Sequence, residues 1–343
     1  MNNFKPPEKN IGKKLTSLQP EDQLLDQTLR PDNFREFVGQ EKIKNNLKIM
    51  IEAAGKRKES LEHILLYGPS GLGKTTLAHI IAKESGSGIK ITSGAALEKA
   101  GDIAAILTSL QDGDTFFIDE VHRLNRIIEE VLYPAMENFK LDIVIGKGAS
   151  AKTIQINLPR FTLVAATTRI ALLSSPFRSR FGVSYRLDFY KHEDIERIIE
   201  RSAKILNITL NKEAEKTLAK ASRYTPRIAN KLLKRSRDLA QVRGYKTVDE
   251  KIVKEALQML DIDELGLEAT DRKILETIIR NFSGGPVGIK TIAASIAEEE
   301  ETIEDVFEPY LMQIGFLART PKGRVATRSA YEHLKIKGQP EII

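Results

Sequence analysis

The chain has 343 residues, 41% of them apolar and 29% charged, with a net charge of +6 and no cysteine. That length calls for two or three domains. The missing cysteines exclude disulfides, thiolate zinc sites and cysteine catalysis, in keeping with a reducing cytoplasm. No apolar run approaches the ~18 residues of a membrane span, and the stretch from Met1 to Gln27 lacks the apolar block of a signal peptide. The positive excess suits solubility and a polyanionic partner equally.

Residues 1–27 are polar and read as a loose tail; a first domain then covers 28–190. Ile43, Leu47, Met50 and Ile51 recur at helical spacing. The apolar run from Ile64 to Tyr67 reads as a buried strand, and the stretch from Thr75 to Ala82 reads as a helix. Between them, Gly68-Pro-Ser-Gly-Leu-Gly-Lys74-Thr75-Thr76 fits the phosphate-loop pattern at every fixed position. Its glycines let backbone N–H groups converge on one anion, and the helix N-terminus adds partial positive charge. Lys74 is placed to reach the β- and γ-phosphates, and the Thr75 hydroxyl to ligate Mg²⁺. A glycine-rich turn that merely ends a strand would have to match four fixed positions by chance.

A strand is expected from Ile89 to Ser93, a helix from Ile103 to Leu110, and a third strand over Thr115-Phe-Phe-Ile-Asp119-Glu120. Strands alternating with helices predict a parallel sheet with helices on both faces. The carboxylate pair ends a buried strand, where such sheets bind ligands. Asp119 would hold the Mg²⁺ shell and Glu120 would polarise the attacking water. Residues 141–163 break this rhythm. Leu141, Ile143 and Ile145 alternate, as do Ile154, Ile156 and Leu158, around Gly146-Lys-Gly-Ala-Ser. They read as an inserted β-hairpin, whose apolar residues either pack on the domain or form a docking surface.

Phe161 to Thr168 is the fourth core strand, ending in two hydroxyls, with Thr167 or Thr168 placed to touch the γ-phosphate or lytic water. Pro176 starts a short helix. Arg180 beyond it is a candidate arginine finger for another subunit's site, set against a plain surface salt bridge. From Lys191 the strands are expected to stop. Four helical segments, 192–206, 212–223, 226–242 and 247–260, make a small bundle over 191–261. Thr247 with Glu250 reads as a capping box. Thr225 and Pro226 start a helix that carries Arg227 in its first turn, toward the nucleotide.

Residues 264–343 change character again. Helices are expected over 271–282 and 289–296, and a third capped by Thr302 with Asp305. A short hairpin with a basic tip then completes a winged helix. Arg319, Lys322, Arg324 and Arg328 are placed to meet phosphates. A protein-interaction module is the alternative, and the acids from Glu298 to Glu301 would repel phosphate beside the second helix.

The order of parts resembles the AAA+ ATPases and, within them, the RuvB family of bacterial Holliday-junction branch-migration motors. The resemblance rests on Arg30-Pro31 with Val38-Gly39-Gln40, the phosphate loop, Phe117-Ile-Asp-Glu-Val-His-Arg123 and Ala166-Thr-Thr-Arg169. It continues through Ser175-Pro-Phe-Arg-Ser-Arg-Phe-Gly182, Thr225-Pro-Arg-Ile-Ala-Asn230, Gly284-Gly-Pro-Val-Gly288 and Arg319-Thr-Pro-Lys-Gly-Arg324. It implies an α/β P-loop AAA+ domain, a small helical lid and a C-terminal winged helix. It implies a catalytic set of Lys74, Asp119, Glu120, Thr168 and a trans-acting Arg180, with Arg227 as second sensor and Thr75 and Asp119 at the metal. Leu29, Arg30, Gly71, Gly73, Thr76, Tyr190 and the Glu137-Asn138-Phe139 segment would neighbour the nucleotide. Ile143, Ile145, Ile154 and Ile156 would dock the junction-binding partner RuvA, and Arg319 and Arg324 would contact DNA. The activity implied is ATP hydrolysis with Mg²⁺, of helicase or translocase type. It would be performed by a cytoplasmic homo-hexamer on duplex DNA at four-way junctions, together with RuvA and the resolvase RuvC.

The chain departs from the family pattern at Tyr224, where Gly is usual, at Asn138, where an acid is usual, and at Glu300, where relatives often carry a basic residue. Two other readings stand beside this one: a different AAA+ enzyme such as a clamp loader, and a non-enzymatic, nucleotide-switched DNA scaffold.

Overall fold

The computed structural model describes residues 28–145 and 152–337. The tail over 1–27 and the hairpin tip from Gly146 to Ser150 lie outside the described residues. The strands, in chain order, are Ile64–Tyr67 (β1), Ile89–Ser93 (β2), Thr115–Asp119 (β3), the hairpin pair Lys140–Ile145 (β4) and Lys152–Asn157 (β5), Thr162–Thr167 (β6), and Val183–Arg186 (β7). Five of them form an all-parallel sheet in the order β2-β3-β6-β1-β7. β7 was not expected from the sequence. Its four residues alternate between half-buried and exposed at the sheet edge, too short a signal to separate from a loop.

The central strands are apolar throughout because both faces are covered. Ile64, Leu66, Phe117, Val164 and Ala166 point to one face; Leu65, Phe116, Ile118, Leu163 and Ala165 point to the other. Helices Glu41–Arg57 (α1) and Lys74–Glu84 (α2) cover the first face, whose core runs on without a break into the helical bundle through Ile195, Leu218, Leu232 and Val253. The second face packs against Ala100–Thr108 (α3), Arg126–Asn138 (α4) and the short Ser175–Arg178 (α5). The base of the β4–β5 hairpin is anchored there by Leu141 and Leu158.

The bundle consists of His192–Ile205 (α6), Lys212–Ala221 (α7), Pro226–Val242 (α8) and Glu250–Met259 (α9). Two details correct the sequence reading. Strands do not stop at Lys191, because Thr209–Leu210 and Thr247–Val248 form a two-residue parallel pair. Thr247 is therefore in a strand, and the cap of α9 is Asp249, whose carboxylate accepts from Ile252 N at 2.9 Å. Thr225 does sit at the N-cap of α8, yet its hydroxyl donates to Arg223 O (2.9 Å) instead of accepting from the helix.

Ala269–Asn281 (α10), Ile289–Ile296 (α11) and a third helix form the winged helix, with the antiparallel strands Leu317–Thr320 and Gly323–Ala326 and a closing turn of helix, Arg328–Leu334. Ile274, Ile278, Ile292, Phe307 and Leu311 fill its core. The third helix starts at Glu300, passes through a π-helical stretch Ile303–Phe307 and ends as Glu308–Gln313. Thr302 has helical angles (φ −64°, ψ −41°), so it lies inside this helix and does not cap it.

A buried ion pair joins bundle and winged helix. Arg223 Nη1 lies 2.8 Å from Asp271 Oδ2, with both side chains sealed from water, and its guanidinium stacks 4.5 Å over Tyr310. Burial pushes the Asp271 carboxyl up to about 6 against the pull of Arg223, which leaves it ionised at neutral pH. Loss of either partner would strand the other charge, a cost of about 3–5 kcal/mol, so this joint is stiff. Arg223 and Tyr224 both have left-handed backbone, φ 55° and 53°. That costs Tyr224 about 1–2 kcal/mol relative to a glycine at the same position. The Tyr224 ring contributes packing in return, standing 5.2 Å from His192 and 6.2 Å from Tyr310. Among the described residues, no helix is long and apolar enough to cross a membrane.

Candidate active site

The phosphate loop is pinched between two parts of the chain. Gly71 (φ +79°) faces the bundle, where an added Cβ would lie 2.7 Å from Thr225 Cγ2. Gly73 (φ +98°) faces Phe37, whose ring a Cβ would meet at 3.1 Å. The loop thus keeps a left-handed, side-chain-free backbone, as an anion cradle requires. Lys74 opens α2, is buried, and donates from Nζ to Gly68 O (2.8 Å) and Pro69 O (2.9 Å).

Above the loop is a cavity of about 410 Å³, of the size that takes a small-molecule ligand. Leu29, Arg30, Thr76, Tyr190 and Arg227 are all among its walls, as the sequence reading expected. Arg227 Nη1 donates to Ser70 Oγ of the loop at 3.3 Å, so the first turn of α8 closes the cavity from the bundle side. The Tyr190 hydroxyl is buried, donates to Leu72 O at 3.0 Å, and is held neutral because burial raises its pKa.

Burial pushes the Lys74 ammonium down to about 8. A bound polyphosphate would raise it again. Below pH 8 the ammonium is present in free and bound protein alike, and ATP affinity should be flat. Above pH 8 binding must take up a proton, so affinity should fall by up to about tenfold per pH unit. Isothermal titration from pH 7 to 9.5 checks this.

The hydrolytic side follows from strand order. Because β6 lies between β1 and β3, its end brings two threonines beside the carboxylates that end β3. Thr75 Oγ1 donates to Asp119 Oδ2 at 3.0 Å. These are hard oxygen donors side by side and fit a Mg²⁺ shell completed by phosphate oxygens and water. The Thr168 hydroxyl points at Glu120 Oε2 (3.4 Å), whereas Thr167 turns to His122 Nδ1 (2.9 Å) and accepts from Arg169 N (2.9 Å). The Glu120 carboxylate therefore has Thr168, and not Thr167, as its hydroxyl neighbour. His122 Nδ1 is also 3.3 Å from Glu120 Oε2, and burial keeps the ring neutral.

Three side chains at the site were not singled out from the sequence. His122 stands two residues after Glu120, and Arg169 immediately after the two threonines, so adjacency was the available signal. Arg201, which lines the cavity and donates to Leu29 O (2.8 Å) and Glu36 (2.7 Å), is an isolated arginine on α6 with no local signature.

Other expected site residues lie elsewhere. Glu137, Asn138 and Phe139 do not line the chain's own cavity. They end α4 on the opposite face of the sheet, where Phe139 packs edge-on to Phe161 at 5.8 Å. Arg180 is on that side too. It stacks 4.2 Å over Tyr133, pairs with Glu137 at 3.0 Å and donates to Pro176 O at 2.6 Å, and its buried Nε has no partner.

In the hairpin, Ile156 packs on the second-face core and Ile154 is 48% exposed. Ile143 is in register with Ile154, and Ile145 with Lys152; the side chains of Ile143 and Ile145 lie outside the described residues. The base of the hairpin therefore packs on the domain, while Ile154 faces solvent.

The wing requires a correction. Arg319 is exposed, at 59%, but Arg324 is buried. Arg324 Nη2 lies 2.7 Å from Glu304 and 3.0 Å from Glu308, so its charge is spent inside the domain and not offered to a phosphate. Arg324→Ala should destabilise the winged helix by about 3–5 kcal/mol, because it leaves the buried Glu308 unpaired. Arg319→Ala should weaken DNA binding with little change in melting temperature. Melting curves and DNA titrations on the two variants separate these roles.

Family comparison fits the geometry along nearly the whole described length. Residues 29–187 match the model of the Holliday junction DNA helicase RuvB P-loop domain, 190–263 the RuvB AAA lid domain, and 264–335 the RuvB C-terminal winged helix domain. The chain belongs to the RuvB family. A Holliday junction branch migration complex subunit RuvB from Clostridium kluyveri is 59% identical over 306 residues, 89% of this chain and 87% of its own length. The Thermotoga maritima RuvB Holliday junction branch migration motor superposes with a TM-score of 0.84 at 50% identity, covering 91% of this chain and 99% of its own. A point mutant of that protein superposes equally well over 90% of this chain. The architecture is accordingly a P-loop AAA+ domain with a RuvB lid and winged helix, a domain type that binds nucleotide.

Proposed function

We propose that the chain is an ATP-driven motor for branch migration of Holliday junctions, working as a homo-hexameric ring in the cytoplasm. The match of all three parts, in order, to RuvB models carries this reading. In the proposed division, residues 28–190 form the ATPase, 191–261 the lid and 264–343 the DNA-binding winged helix.

Each residue has a physical task. Backbone amides around Gly71 and Gly73 cradle the phosphates, and Lys74 supplies a desolvated positive charge to them. Thr75 and Asp119 are the residues that would hold a Mg²⁺ ion, which would supply charge neutralisation to the phosphates. Glu120 orients and polarises the attacking water, with Thr168 fixing its carboxylate. Arg227 ties the lid to the loop, so that loss of the terminal phosphate is felt by α8. Arg180 and Glu137 are presented together on the far side of the domain, to a neighbouring subunit's site. Arg319 meets the DNA backbone, the exposed Ile154 edge of the hairpin docks RuvA, and the resolvase RuvC acts on the same junction.

Unwinding of a synthetic four-way junction, with and without RuvA and ATP, tests the whole reading. ATP- and RuvA-dependent conversion to duplex arms is the expected result. A clamp loader would leave the junction intact, and a nucleotide-switched scaffold would bind ATP without releasing phosphate.

A further inference from the structure

We propose that Arg169 is a positioning residue for hydrolysis, through which the winged helix sets the orientation of Glu120. Its backbone N–H donates to Thr167 Oγ1 at 2.9 Å, and that oxygen lies 2.9 Å from His122 Nδ1. The same ring nitrogen is 3.3 Å from Glu120 Oε2. The Arg169 side chain runs the other way, into the winged helix. Its Nε lies 2.5 Å from Asp305 Oδ2, and its guanidinium reaches Glu301 at 3.5 Å. One residue thus spans the ATPase sheet and the winged helix, with two side chains, Thr167 and His122, between it and the hydrolytic carboxylate.

Among the described residues, the winged helix meets the rest of the chain at several points, and two of these joints differ in strength. The Arg223–Asp271 joint to the lid is buried and stiff. The Arg169 joint is partly open to water, with Asp305 34% and Glu301 80% exposed, so it is screened and readily broken and remade. Both joints converge on the same π-helical turn. Asp305 takes Arg169, and the carbonyl of Val306 accepts from Arg223 Nη2 at 3.3 Å. The same helix also carries Glu304 and Glu308, which hold Arg324 of the wing. Load on the wing therefore passes along one helix, from Arg324 through Glu304 and Glu308 to Asp305 and Glu301, and reaches the end of β6 at Arg169. The acidic run that argued against a DNA role for this region acts in part as the receptor for that arginine.

This inference rests on the motor reading, and the test separates the two. The full-length chain is assayed for steady-state ATP turnover with and without a four-way junction and RuvA, as wild type, Arg169→Asp, Asp305→Arg and the double charge swap. Each single reversal should cut the junction-stimulated kcat at least about fivefold, the lower end of typical coupling between sites, with KM for ATP unchanged. The swap should restore most of the response. Asp305→Asn, which keeps the size of the side chain, provides the same readout if a reversal fails to fold. Wild-type stimulation in the single variants overturns the proposal, as does a lost response that the swap does not recover in a protein of normal melting temperature. If the wild type shows no response to the junction, the motor reading falls, and this proposal with it.

Discussion

Glu120→Gln should lower ATP turnover by roughly 10²–10⁴-fold, the usual worth of a positioned general base, while leaving ATP binding intact. Gln keeps the shape and can still accept from Thr168, but it cannot polarise water as a carboxylate does. The phosphate-binding side of the cavity, built from Lys74, Thr75 and the loop glycines, is untouched by the change. Phosphate release under saturating ATP, beside equilibrium nucleotide binding, separates the two effects. Turnover close to wild type would assign the lytic water to another residue. Loss of binding would mean that Glu120 helps form the cavity itself. The same assay on the wild type decides against the scaffold reading, since a nucleotide switch turns over negligibly.

What was legible in the sequence was whatever local chemistry dictates. The phosphate loop is nine contiguous residues whose types are fixed by one backbone shape, and the strand before it is apolar because the sheet buries both faces there. The carboxylate pair was legible for the same reason, as the first polar residues after a buried run. Pairings set by tertiary approach were not legible. Arg324 resembled a wing-tip contact because its hairpin is basic; its burial depends on Glu304 and Glu308, which reach it from a separate helix. Thr247 looked like a cap because it precedes a helix, but Val248 pairs with Leu210 and hands the capping role to Asp249. Which of Thr167 and Thr168 meets Glu120 depends on side-chain direction at the end of β6, and the folded chain turns the Thr168 hydroxyl to it at 3.4 Å. His122 and Arg169 stand inside recognisable local motifs, yet their connections run sideways across strands, where no spacing rule reaches.

Arg180→Ala should cost roughly 10³–10⁵ in turnover, the range for loss of an arginine finger, even though the side chain lines no wall of its own cavity. Its position argues that it is held ready for use elsewhere. A planar guanidinium stacked on Tyr133 and tethered to Glu137 loses little conformational freedom when it meets a phosphate. Its unpartnered buried Nε leaves one donor unspent. If it served only as a surface ion pair, removing it would change stability by at most about 1 kcal/mol and leave turnover alone. Mixing the variant with Lys74→Ala subunits distinguishes a finger acting across an interface from a local structural role. Each variant alone should be inactive. In mixed rings, some interfaces combine an intact Lys74 cradle with an intact Arg180 from the neighbour, and activity should return in proportion to that fraction. If no mixing ratio restores turnover, Arg180 does not act in a neighbour's site, and its contribution must come from holding α5 and Glu137 in place.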